Sequence, residues 1–190
     1  GSRVPVTLPE RIYGAQEFLD TFAKYAQRKA LYLVTQFNHT REITPQAVKA
    51  IRAMIERGVQ VRNQTVLLRG VNDSGETLGQ LLSGLTRVGV VRYYVFQCRP
   101  VTGVKERFQV PIQEGIRIVD AAKARQNGFG KAIRYAMSHP KGKIEILCRL
   151  PSGETVFKFH QSKDDADLAR VFTRTLAPSH TWLDSNLNGI

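Results

Sequence analysis

Three apolar runs in this chain end in polar residues whose types can bind ligands or move protons. ALYLVTQF carries Gln36 next to its end and leads into Asn38 and His39; QTVLL leads into Arg69, Asn72 and Asp73; VRYYVF leads into Gln97, Cys98 and Arg99. Amides and a guanidinium are directional hydrogen-bond groups suited to carboxylates and phosphates, and an imidazole exchanges a proton near neutral pH. Gln64 adds an amide inside an apolar run, where leaving it unpaired would cost roughly 1–3 kcal/mol, so it either bridges backbone or faces a ligand. Each has a structural reading as well: Asn72 and Asp73 can make a turn and cap a helix, and His39 beside Thr40 can be an ordinary loop residue. No Ser-His-Asp set, phosphate loop or spaced carboxylate pair is present.

The elements around these runs explain why their ends should meet. Residues 3–8 alternate as a strand, and residues 15–28 carry Phe18, Leu19, Phe22 and Tyr25 at helical spacing. Residues 30–37 form a second strand, and Thr44 caps a helix that starts at Pro45, buries Val48, Ile51 and Ile55, and stops at Gly58. A strand over 61–68, a helix over 75–88, a strand over 91–97 and a helix opened by Pro111 complete the pattern. Strands recurring every thirty residues or so, with helices between, predict parallel βα units, in an open sheet or as part of a barrel. In such folds ligands gather at the carboxyl ends of the strands, so the polar run ends should form one rim. Past Gly128 the pattern changes. Residues 143–150 and 154–160 flank Pro151, Ser152 and Gly153 as a hairpin, with a short helix expected over 166–173 and then an irregular tail. The expected organisation is an α/β unit over 1–127 and a β-hairpin annex with its tail over 128–190.

Charge and cysteines narrow the function classes. Lysine and arginine number 28 against 16 acidic residues, a net charge of +12. That balance favours anionic partners, although the cations are dispersed with no basic block or interleaved aromatic stripe. A basic, non-catalytic α/β module binding nucleic acid or another polyanion is therefore one reading. Cys98 and Cys148 are the only cysteines, too few for a disulfide framework or a four-thiolate metal site, and they suit a reducing, cytoplasmic setting. No apolar run approaches membrane-spanning length, so no membrane association is expected. The Gly-Ser start without Met leads us to expect a piece of a longer protein.

The succession GSRVPVTLPERI, TQFNHTREIT, NQTVLLRGVND, YYVFQCR and FQVPIQEGIRIVD, over residues 1–125, resembles the lysine 2,3-aminomutase family of radical S-adenosylmethionine proteins. The resemblance implies the carboxyl-terminal half of a partial (βα) barrel. It also implies a reaction in which an amino group migrates between adjacent carbons of an amino acid. The implied cofactors are S-adenosylmethionine, a four-iron, four-sulfur cluster and pyridoxal phosphate. The family's CxxxCxxC motif is absent, so this chain holds no metal ligands and is expected to be inactive alone. The similarity puts Gln64 near S-adenosylmethionine. It sets Gln36 and Asn38 in the place of an HFNH motif whose first histidine is lost, and Phe96 where a tyrosine hydroxyl would meet pyridoxal phosphate. Arg99 and Ser138 stand where lysine enzymes carry two acids for the distal ammonium, which disfavours lysine and points to an acidic or neutral substrate. Lys143 is the implied Schiff-base lysine, with Lys141 as second candidate. Unpaired sheet edges lead to an expectation of homo-oligomers.

Overall fold

The computed structural model describes residues 2–190. Along the chain run α1 (Val4–Thr7), α2 (Glu10–Tyr13), α3 (Gln16–Ala26), β1 (Leu31–Thr35), α4 (Pro45–Ile55), β2 (Val59–Leu67), α5 (Gly75–Arg87) and β3 (Val91–Gln97). After them come α6 (Lys105–Phe108), α7 (Ile112–Ala124), β4 (Arg134–His139), β5 (Gly142–Arg149), β6 (Glu154–Ser162) and β7 (Val171–Thr175). The fold is α/β around a seven-stranded sheet in the order β1-β2-β3-β4-β5-β6-β7. β1 to β4 pair in parallel and β4 to β7 antiparallel, so the βα units run directly into a meander.

Local chemistry sets the boundaries. The Thr44 hydroxyl accepts from Ala47 N at 3.1 Å with Pro45 behind it, and Ser74 accepts from Thr77 N at 3.0 Å to start α5. The chain leaves α4 through Gly58 at φ +78°, a conformation glycine adopts without steric cost. Parallel strands in sequential order need right-handed crossovers, which place the connecting helices on one side of the sheet. Strand alternation records the consequence. On β2, Val59, Val61, Asn63, Thr65 and Leu67 are buried toward the helices, whereas Arg62, Gln64 and Val66 on the other face are only half-buried.

Two expectations are corrected. Residues 3–8 are not a strand: Pro5 stands in the first turn of a short helix, and only Ser2 still bridges β1, at Thr35. Residues 166–173 are not a helix either. A 3-10 turn over Asp165–Asp167 gives way to β7, where Phe172 and Thr173 pair with Phe157 and Val156 of β6, and pairing outweighs the weak helical spacing. Sequence patterning marks neither β4 nor β7, so the expected hairpin is the middle of a four-stranded meander. Among the described residues no helix is long and apolar enough to cross a membrane.

The tightest helix-to-sheet approach is at Gly115 of α7. A methyl there would press on the Tyr135 phenol, with Leu67 Cδ2 3.2 Å away. Gly115→Ala should therefore cost about 1–3 kcal/mol by overpacking, lowering the thermal midpoint by several degrees in a circular dichroism melt. An unchanged midpoint would show that α7 can move off the sheet freely.

Candidate functional site

The half-exposed face of the sheet holds a cavity of about 500 Å³ at the carboxyl ends of β1, β2 and β3. Its β2 side is Gln64, Val66 and Leu68, three positions of one strand face that continue past the end of the strand. Gln64 Nε2 donates to Tyr93 Oη at 3.2 Å.

The β1 side is held by a buried amide. Asn63 Oδ1 accepts from Phe37 N at 2.7 Å while its Nδ2 donates to Phe37 O at 3.2 Å and to Thr65 Oγ1 at 2.9 Å. This continues the β1–β2 connection beyond Thr35 and fixes Gln36 and Asn38, both on the cavity wall. Asn38 Oδ1 in turn accepts from Val66 N at 2.9 Å. Asn72 is fully buried: it donates to Asn38 O at 2.8 Å and Val66 O at 2.9 Å, and accepts from Leu68 N at 2.8 Å. Both of its N–H donors and its carbonyl oxygen are engaged in holding two loops together.

A bulge shapes the β3 side. Asn63 pairs with Arg92 and Gln64 with Tyr94, leaving Tyr93 as an extra residue and reversing the facing of the remainder of β3. Arg92, paired ahead of the bulge, points to the helices and donates to Leu82 O at 3.1 Å, while Tyr94 and Phe96 beyond it stack at 4.9 Å on the other face. Lys143 of β5 lies over them, its Nζ 4.6 Å from the Tyr94 ring centroid and 5.6 Å from that of Phe96. Ser138 is its direct cross-strand partner and shares its face. Burial raises the Tyr94 phenol, and also the Cys98 thiol, above their ordinary values, so both are neutral near pH 7. Beyond Cys98 stands Arg99, exposed on the rim and without an ion pair among the described residues.

No protein-family model matches the chain. It is 38% identical over 186 residues to a protein of Aquifex aeolicus (strain VF5) provisionally named as an L-lysine 2,3-aminomutase, an alignment covering 97% of this chain and 49% of that protein. By descent the chain belongs with the lysine 2,3-aminomutases. The L-lysine 2,3-aminomutase of Fusobacterium nucleatum subsp. nucleatum is 40% identical over 129 residues, 68% of this chain and 29% of that one. The glutamate 2,3-aminomutase of Clostridioides difficile (strain 630) is 33% identical over 142 residues, 75% of this chain and 32% of that one. The chain thus spans about half the length of the first of these aminomutase relatives. A radical SAM methyltransferase from Sphaerobacter thermophilus aligns at TM-score 0.42 and 19% identity, over 62% of this chain and 38% of that one, a likeness too loose to carry an argument.

Of the residues expected at the site, Gln36, Asn38, Gln64, Phe96, Arg99, Ser138 and Lys143 all line this one cavity. Gln97 and Cys98 of the expected rim line it as well, whereas its remaining four members do different work. His39 accepts from Arg41 N at 3.1 Å as a cap, Asp73 accepts from Gly70 N at 2.8 Å, and neither these two nor Arg69 and Asn72 line the cavity. Lys141 sits in the turn between β4 and β5, outside the lining. Sequence reasoning missed Tyr94 as the floor under Lys143, because plain alternation puts Tyr93 and Tyr94 on opposite faces and nothing in VRYYVF announces the bulge. It also missed the apolar wall of Val66, Leu68, Val101 and Val104. The alternation of β2 that singles out Gln64 carries the signal for Val66.

The Asn72 network makes a definite demand. Asn72→Ala strands one buried N–H and two carbonyls and should cost about 2–3 kcal/mol in urea denaturation. Asn72→Asp should be no better, since it turns a carboxylate oxygen toward the Asn38 and Val66 carbonyls. Values within about 0.5 kcal/mol of the unsubstituted protein would mean the side chain does not hold the loops.

Proposed function

We propose that this chain is the carboxyl-terminal part of a radical S-adenosylmethionine aminomutase-like protein that moves an amino group between adjacent carbons of an acidic or neutral amino acid, not free lysine. The observation that carries this reading is Arg99: an uncommitted guanidinium shares one cavity with the Lys143 amine. A guanidinium engages a carboxylate through two parallel N–H···O bonds and repels an ammonium, so it selects a distal carboxylate and opposes a distal amine.

Pyridoxal phosphate fits the residues present. A lysine amine lies against the stacked Tyr94 and Phe96 rings in a cavity open to ligand, and Ser138 beside it offers a hydroxyl. Lys143 would hold the group, which when bound supplies an electron-delocalising ring next to the migrating nitrogen. Phe96 has no hydroxyl to give its phosphate, which leaves that contact to other donors. S-adenosylmethionine fits the opposite wall, where Gln64, Gln36 and Asn38 present amides. The iron-sulfur cluster does not fit: with Cys98 and Cys148 alone, and no group of three His, Cys, Asp or Glu side chains close enough to hold a metal among the described residues, its ligands must come from elsewhere. Within this chain, Arg99 orients the substrate's far end, Lys143 holds the near end, and Val66, Leu68 and Phe96 exclude water between them.

Pyridoxal phosphate added to the protein should give a visible absorption band and, after borohydride reduction, a phosphopyridoxyl mass on the Lys143 peptide. Lys143→Ala should abolish both and Lys141→Ala neither; trapping at Lys141 alone, or none in the unsubstituted protein, would refute the assignment. In calorimetric titrations of the loaded protein, L-glutamate should bind more tightly than L-lysine, and Arg99→Asp should reverse that preference by about tenfold or more.

A further inference from the structure

The carboxyl-terminal segment, to which neither the sequence patterns nor the aminomutase resemblance gives a role, touches both walls of the cavity from behind. Its first anchor is Thr181. The Thr181 hydroxyl donates to Gln109 Oε1 at 2.8 Å, and Gln109 Nε2 donates to Cys98 O at 2.7 Å. By engaging the oxygen end of the amide, Thr181 dictates that the nitrogen end faces the Cys98 carbonyl. Gln97 Nε2 donates to Thr181 O at 2.8 Å and to Val110 O at 2.7 Å, while its Oε1 accepts from the buried Tyr135 hydroxyl. Gln97 and Gln109 are each only 1% exposed, so these bonds form away from water, where an unmade one is costly. They fix the backbone just where it leaves β3 and turns toward Arg99.

The second anchor is His139, next to Ser138. Its Nε2 lies 3.2 Å from Leu183 O and 3.1 Å from Asp184 O, and its Nδ1 accepts from Lys141 N at 3.2 Å. That pattern assigns the proton to Nε2 of a neutral ring, the form that burial favours. His139 therefore ties the β4–β5 turn, and with it Ser138 and Lys143, to the same short segment. The segment is itself well braced. Trp182 and Leu183 are buried, Thr181 N and Trp182 N donate to Ile190 O, and Asp184 Oδ1 accepts from Asn186 N and Asn188 N at 2.8 Å.

We infer that residues 181–184 are a positioning strap: they hold the Arg99 wall and the Lys143 wall of the cavity at a set spacing, with Thr181 and His139 as positioning residues. The mechanical part stands on the hydrogen bonds alone. Its importance for ligand binding rests on the proposed amino-acid site.

The two cysteines allow the two parts to be tested separately, because Cys98 is buried on the strapped wall and Cys148 is exposed on β5. Thr181→Val keeps the side chain's shape and deletes its hydrogen bond; Thr181→Ser keeps the bond. Iodoacetamide should alkylate Cys98 about fivefold faster in Thr181→Val than in the unsubstituted protein, with Cys148 unchanged and Thr181→Ser restoring the original Cys98 rate. His139→Phe, which removes the other anchor, should leave Cys98 protected but slow the trapping of pyridoxal phosphate at Lys143. Equal Cys98 rates in the threonine, serine and valine proteins would overturn the strap. So would a Thr181→Val protein whose Cys98 exposure only tracks a fall in melting midpoint that Thr181→Ser shares. If the unsubstituted protein traps no pyridoxal phosphate while the cysteine pattern holds, the proposed function fails and the strap survives. If glutamate binding is detectable and Thr181→Val does not weaken it, the link between strap and Arg99 is refuted.

Discussion

Because the connecting helices pack against one face of the sheet, every strand is divided into two rows with different duties. One row of β2, from Val59 to Leu67, is committed to the core, and the other, with Gln64 and Val66, lines the cavity. A single-residue shift in pairing would exchange the rows, sending amides into the hydrophobic layer and valines into the ligand space. Much of the polar chemistry behind the site protects that phase. Asn63 extends the grip of β2 past the end of β1, and Asn72 clamps the loops that leave the two strands. The β2–β3 pairing slips once, at the Tyr93 bulge; just before it Arg92 keeps the helix-facing phase of its partner Asn63 and donates to the Leu82 carbonyl. The bulge sets Tyr93 against Gln64 and Tyr94 under Lys143, two supports behind cavity-lining residues that regular alternation would not supply.

The parts legible in the sequence were those carried by local signals. Thr44, Pro45 and Gly58 mark α4 because capping and positive φ are properties of one or two residues, and the apolar run over 61–68 marks most of β2. Gln64 stood out because an amide in an apolar strand requires a reason. What escaped depended on pairing between distant segments. Residues 134–139 become a strand through contact with Tyr94, Val95 and Phe96, and residues 171–175 through contact with β6, and neither carries a pattern strong enough to read alone. Residues 3–8 failed in the other direction, their alternation being overruled by a proline in a helical first turn. The resemblance to aminomutases supplied candidate site residues that physical reading could not reach, Ser138 and Lys143 among them.

Electrostatics gives the cavity its direction. Its cations, Arg99 past the end of β3 and Lys143 over the rings from β5, come from different strands, and no carboxylate is among the lining residues. A ligand with negative charge at one end and a carbonyl or a second anion at the other would satisfy both, and one carrying a terminal ammonium would meet repulsion. The net charge of +12 strengthens this bias at long range without defining it.

The strap also bears on how far along the chain the contacts behind the cavity reach. Each strand pairs with its neighbour in sequence, so the sheet closes smaller loops than a contact across most of the chain does, and closure entropy grows with loop length. The Gln97–Thr181 bond spans 84 residues and the Thr181–Gln109 bond 72, so both close larger loops than any strand pairing in the sheet. The spacing of the cavity walls thus depends on contacts made across most of the chain, and not on neighbouring strands alone.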